Sequence, residues 1–133
     1  MQETMPQELE VRYILPAIRR ELAKALILNH KLSQKETAKL LGLTEAAVSQ
    51  YIHSKRAKEV VFSKEIVEEI MKSAERILEN KTKQKVMSET FRISNLAKVK
   101  HILCDLHRAQ SKDDLAKCNI CFEDEDLLTI KSK

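Results

Sequence analysis

Three cysteines and one histidine carry the chain's clearest metal chemistry. Cys104-Asp105-Leu106-His107 and Cys118-Asn119-Ile120-Cys121 form a C-x2-H-x10-C-x2-C pattern. Two such ligand pairs close a tetrahedral zinc site. The first pair stands at i and i+3, on one face of a helix; the second pair would form a turn. A metal there would tie down an irregular tail, because metal binding contributes folding energy. Other chemistries stay open at this point. The same ligands suit an iron–sulfur cluster, Cys118 and Cys121 alone suit a reactive dithiol, and Cys104 beside Leu103 and Leu106 suits plain core packing. A second concentration of chemistry lies earlier. Between residues 31 and 60, Lys31, Lys35, Lys39, Lys55, Arg56 and Lys58 outnumber Glu36, Glu45 and Glu59. Such a basic segment suits an anionic partner.

The elements that must position these groups are helical. The chain has 133 residues, 43% hydrophobic and 33% charged, with a single glycine and two prolines. Hairpins, phosphate loops and nucleophile elbows need residues that accept positive φ, and glycine is their usual supplier. An all-α fold with short polar connections follows. Residues 1–8 read as a frayed leader. Apolar spacing from Tyr13 to Asn29 predicts a first helix, with Pro16 in its first turn. Ser33 and Glu36 form a capping box at the start of a second helix, which stops at Gly42. Thr44 caps a third through Ile52. After polar residues 53–59 and the apolar Val60-Val61-Phe62, Ser63 caps a fourth helix, with Ile66, Ile70, Ala74 and Ile77 on one face. Polar residues 80–85 form a boundary. A fifth helix is expected over Val86–Ala109, followed by an irregular end from Cys118.

The sole glycine locates a motif. Ala38, Gly42 four residues later and Val48 six beyond that have the spacing of a DNA-binding helix-turn-helix. Alanine allows the second helix to approach, glycine makes the left-handed turn, and Leu41, Leu43, Val48 and Tyr51 fill the angle. The segment Ser33 to Arg56 resembles the helix-turn-helix of the lambda-repressor-like (XRE) transcriptional regulators, including the basic turn Ser54-Lys55-Arg56. The whole chain is also similar to small archaeal predicted regulators that open with a leucine–proline helix, here Leu15-Pro16-Ala17-Ile18-Arg19-Arg20, and end in a cysteine-containing part. The resemblance implies that Thr44–Ser54 is a recognition helix lying in the major groove of double-stranded DNA. In that frame Glu45, Ala46, Ser49, Gln50 and His53 face base edges. Gln50 can bond adenine through both amide atoms, Ser49 can donate or accept, and Ala46 can touch a thymine methyl. Glu45 either accepts from cytosine or helps cap its helix. Gln34 and Thr44 present helix-start N–H groups to phosphate, and Lys35, Lys55 and Arg56 are phosphate contacts.

Two domains are expected: residues 1–80 for DNA binding, and 86–133 for the last helix with a metal-binding and dimerisation element. The apolar Ile66, Ile70, Ile77, Phe91, Leu96, Val99, Ile102 and Leu103 exceed what a small module needs, so part of them is expected to form a homodimer contact. No carboxylate pair or nucleophile–base arrangement supports an enzyme. The acidic run Glu123 to Asp126 reads as solvated tail. There is no apolar run long enough to span a membrane and no signal-peptide pattern, so a cytoplasmic setting is expected. The reading is a sequence-specific DNA-binding regulator. Its rival is a protein-interaction adaptor that uses the same helical fold, with the zinc-tied element as its docking surface.

Overall fold

The computed structural model describes residues 5–110, all of whose regular structure is helical. Helix α1 runs without interruption over residues 6–29. It alternates α-helical pieces, Pro6–Leu9 and Leu15–Lys24, with the wider π turns Glu10–Ile14 and Ala25–Asn29. Then come α2 (Gln34–Leu41), α3 (Glu45–Ile52), α4 (Lys64–Asn80), α5 (Lys83–Ser94) and α6 (Ala97–Gln110). Among the described residues no helix is long and apolar enough to cross a membrane.

The first helix begins earlier than its apolar spacing predicts. Leu9, expected at the edge of a frayed leader, is 1% exposed and belongs to the core. Pro16 therefore falls inside a helix rather than in its first turn. A proline there lacks a donor, and its ring crowds the carbonyl four residues back. The π turn relieves this strain, because the Leu15 N–H already reaches back five residues to the Glu10 carbonyl. The last predicted helix is likewise corrected: it is two helices, α5 and α6. Asn95 divides them. Its N–H donates to the Phe91 carbonyl at 3.1 Å, and its side-chain Nδ2 donates to the same oxygen at 2.8 Å. Asparagine's short amide competes in this way for helix carbonyls.

Helix α1 is the centre of the bundle and lies against each of the other five. Its buried Ile14, Ile18, Leu22 and Leu26 recur every four residues, so they form one stripe. That stripe meets Ile66, Ile70 and Ile77 of α4, with Ile93 of α5 and Val99 and Leu103 of α6 in the same cluster. One core thus extends across residues 80–86, where the sequence suggests a domain boundary. Ile66, Ile70, Ile77, Val99 and Leu103 are spent on this core and are not available for a dimer contact. Phe91, by contrast, is 72% exposed.

Helices α4 and α5 are pinned by a buried carboxylate. Glu89 accepts from Ser73 Oγ at 2.8 Å, from Arg76 at 3.2 Å and from Arg92 Nε at 3.2 Å, with Lys85 Nζ at 3.4 Å. Burial works to raise its pKa, but the bonds from Ser73, Arg76, Arg92 and Lys85 prevail and lower it to about 2. Arg92 also reaches Glu69 at 3.2 Å, and this bond together with the Lys72 charge holds the Glu69 carboxyl below its ordinary value.

Candidate nucleic-acid interface

Two short helices and the turn between them form the site. Ser33 Oγ accepts the Glu36 N–H at 3.0 Å, and the Glu36 carboxylate accepts the Ser33 N–H at 3.4 Å, so the expected capping box starts α2. The helix ends at Gly42, whose φ of 70° and ψ of 34° are left-handed. The Ala38 carbonyl receives the N–H of Leu43 at 2.8 Å, which closes the turn. Ala38 is 3% exposed, and Val48 and Tyr51 are 0% and 3%, so the angle between the helices is filled as their spacing implies. Thr44 Oγ1 then accepts the Ala47 N–H at 3.0 Å and starts α3. That bond assigns the cap to Thr44, and Glu45 is left with an exposed side chain in the first turn.

The candidate base-reading residues fall on one side of α3. Glu45, Ala46, Gln50 and His53 are exposed, and Ser49 is half-buried. Ser49 and His53 act on each other. His53 Nδ1 lies 2.8 Å from the Ser49 carbonyl and 3.4 Å from its hydroxyl. A carbonyl only accepts, so Nδ1 is the donor in that bond. Thr44, Lys35, Lys55 and Arg56 are exposed and Gln34 is half-buried. The Arg56 guanidinium lies 5.9 Å from the Tyr51 ring centre, and this contact orients its otherwise mobile stem.

The loop after α3 is held by a residue that spacing alone did not single out. Arg20 of α1 is 6% exposed. It donates to the carbonyls of Ala57 and Val60, the latter at 2.7 Å, and pairs with Glu21 at 2.6 Å. Ser54 and Ala57 both have positive φ, at 57° and 59°. Arg20 fixes this irregular path and with it the positions of Lys55 and Arg56. The signal in the sequence was a cation three residues after the core Ala17, on the otherwise apolar inward face of an amphipathic helix.

The electrostatics of the two ends differ. Arg76, Lys85 and Arg92 converge on carboxylates between α4 and α5, and Lys98 pairs with Glu65. Among the described residues, Lys31, Lys35, Lys39, Lys55, Arg56 and Lys58 make no ion pair with a carboxylate. Their charge is left to solvent or to an outside anion.

The expected metal ligands are only partly placed. Cys104 is buried and His107 half-buried, one turn apart on α6. Cys118 and Cys121 lie outside the described residues. Among the described residues no three histidine, cysteine or acidic groups gather as a metal site. Comparison of the chain with protein families, with curated proteins and with solved structures returns no match.

Proposed function

We propose that this chain is a sequence-specific DNA-binding regulator of transcription of the lambda-repressor-like helix-turn-helix type, with α3 entering the major groove. The observation that carries the reading is the exposed face of α3. Glu45, Ala46 and Gln50 project from a short helix set off by a left-handed glycine turn, with the uncompensated Lys35, Lys55 and Arg56 flanking it. Side chains of those types meet base edges, and cations at both ends meet phosphates. Gln50 reads adenine, Ala46 packs on a thymine methyl, and Glu45 accepts from cytosine N4. Lys35, Lys55 and Arg56 neutralise backbone charge without reading sequence. Arg20 acts through the loop that it holds, as a positioning residue.

A second copy of the chain is the proposed partner. Met87 and Phe91 of α5 are 63% and 72% exposed, and both line a cleft with Leu15 and Leu22 of α1. Glu10 and Arg19 line the same cleft. Two modules related by a two-fold axis would double the DNA site.

Binding to random and selected duplexes at several salt concentrations tests the reading. Lys55→Ala and Arg56→Ala should weaken binding to every sequence and each flatten the salt slope by about 0.9. Gln50→Ala should instead reduce discrimination by about 1–3 kcal/mol at one base pair. If neither class of change alters binding, the DNA assignment is wrong. A two-fold symmetric consensus from a random pool, with a scattering mass of two chains, supports the dimer; a mass of one chain at binding concentrations removes it.

A further inference from the structure

Three lysines far apart in sequence meet in one cleft beside α2. Lys39 of α2, Lys81 of the α4–α5 turn and Lys83 at the start of α5 line it together with Leu32, Leu40 and Glu36. The fold makes this meeting, because α5 packs against α2 and only two residues separate α4 from α5. Lys81 is itself fixed there. It is left-handed, with φ of 50°, and its N–H donates to the Ile77 carbonyl at 2.6 Å. Thr82 Oγ1 then accepts the Lys85 N–H at 3.1 Å, so α5 begins beside the cleft with the positive end of its dipole. Among the described residues none of the three lysines pairs with a carboxylate. The one acidic lining group, Glu36, is engaged with the Ser33 N–H at 3.4 Å.

Three lysines against one carboxylate leave the cleft with a net positive charge, which suits an outside anion. The cleft is also continuous with the DNA face. Lys35 and Lys39 are one turn apart on α2 and both exposed, so they share a side of the helix. Lys39 thus belongs both to the exposed side of α2 that carries Lys35 and to the cleft lined by Lys81 and Lys83. We infer that the α4–α5 turn is a second clamp on the DNA backbone, in which Lys39, Lys81 and Lys83 bind phosphates beyond those reached by the helix-turn-helix. The inference rests on the duplex-binding reading above and extends its footprint. These lysines contact no bases, so they add affinity and salt dependence but no sequence preference.

The test compares the full chain with a Lys81→Ala/Lys83→Ala double variant and with Lys72→Ala, a surface lysine on α4 that pairs with Glu69 at 3.6 Å. The probe is a duplex long enough to extend past the selected consensus on both sides. The double variant should show a salt slope shallower by about 1.8, so its deficit relative to the unsubstituted chain shrinks about tenfold between about 50 and 200 mM salt. Its preference among sequences should be unchanged. Lys72→Ala should keep the original slope. Trimming the flanking base pairs should reduce the affinity of the unsubstituted chain more than that of the double variant, which keeps only Lys39 of the three. A double variant with unaltered slope and intact binding overturns the clamp alone. Failure of the unsubstituted chain to retain any duplex overturns the reading beneath it as well.

Discussion

Substitution of Gly42 separates backbone strain from crowding at the turn that sets α3 against α2. Gly42 has φ of 70°. An ideal Cβ built there meets no atom within 4 Å. The penalty for a side chain is therefore conformational. An L-residue in the left-handed region costs about 1–2 kcal/mol, and alanine recovers roughly 0.4–1 kcal/mol by restricting the unfolded chain. Gly42→Ala should thus lose about 1 kcal/mol, a fall in Tm of roughly 3–5 °C for a chain of this size. Gly42→Asn should lose less, because asparagine tolerates this region. Gly42→Val should lose most, since a β-branched residue at positive φ is a genuine outlier. Thermal and urea unfolding of the three variants gives the order. The asparagine variant should also retain duplex binding, because the angle between α2 and α3 is preserved. An alanine variant that loses roughly 4 kcal/mol, a size associated with collisions or buried polar loss, would refute the reasoning. Equal losses for asparagine and valine would do the same.

Three further outcomes are expected. The folded pKa of Glu89, at about 2, lies below its ordinary value of 4.5. Its stabilisation is therefore present above pH 4.5, is lost as pH falls through 2, and is at most about 3 kcal/mol. Urea unfolding across that window should show a steeper loss for the native chain than for Glu89→Gln, and parallel curves would contradict the assignment. Thr37 is fully buried, and its Oγ1 has no hydrogen-bond partner. Thr37→Val keeps the shape and removes the unsatisfied hydroxyl, so it should hold stability or raise it by up to about 1 kcal/mol; a clear loss by calorimetry would show that the hydroxyl is satisfied in solution. Cys104, His107, Cys118 and Cys121 are expected to hold zinc equimolar with the protein, measured by elemental analysis, and Cys121→Ser should lower its content. Iron with a brown colour would replace zinc by a cluster, and absence of both metals would end the metal proposal.

Much of the geometry of α2, α3 and the turn between them was legible because its signals are local. Ser33 and Glu36, Thr44, Gly42 and Ala38 act within a few residues of themselves, through caps and one turn. Their type and spacing therefore predict geometry directly. The same holds for Ser63 and the amphipathic stripe of α4. The misses were of another kind. A π turn precedes Pro16 in mid-helix, and where the run from Val86 to Ala109 breaks, the side chains of Ser94 and Asn95 both donate to the Phe91 carbonyl. Both depend on competition for backbone oxygens, which leaves little trace in apolar periodicity. Most of the apolar stripe expected to contribute to a dimer contact is buried within this chain instead, with Phe91 left exposed. Amphipathic spacing shows that a stripe will be buried, but not whether this chain or another covers it.

The sequence by itself determined that the chain is helical, and it placed one left-handed turn between two short capped helices. The described residues also take positive φ at Lys31, Ser54, Ala57 and Lys81, so the glycine marks one left-handed position and not the others. Only the tertiary structure decided which charges stay unpaired. Glu89 is withdrawn into a network with Arg76 and Arg92, while Arg20 is drawn inward to hold residues 57–60. Lys81 and Lys83 are carried to Lys39 by the packing of α5 on α2. Net charge is a sum over the chain, but an electrostatic surface depends on distance and burial. Those are set by which helices touch.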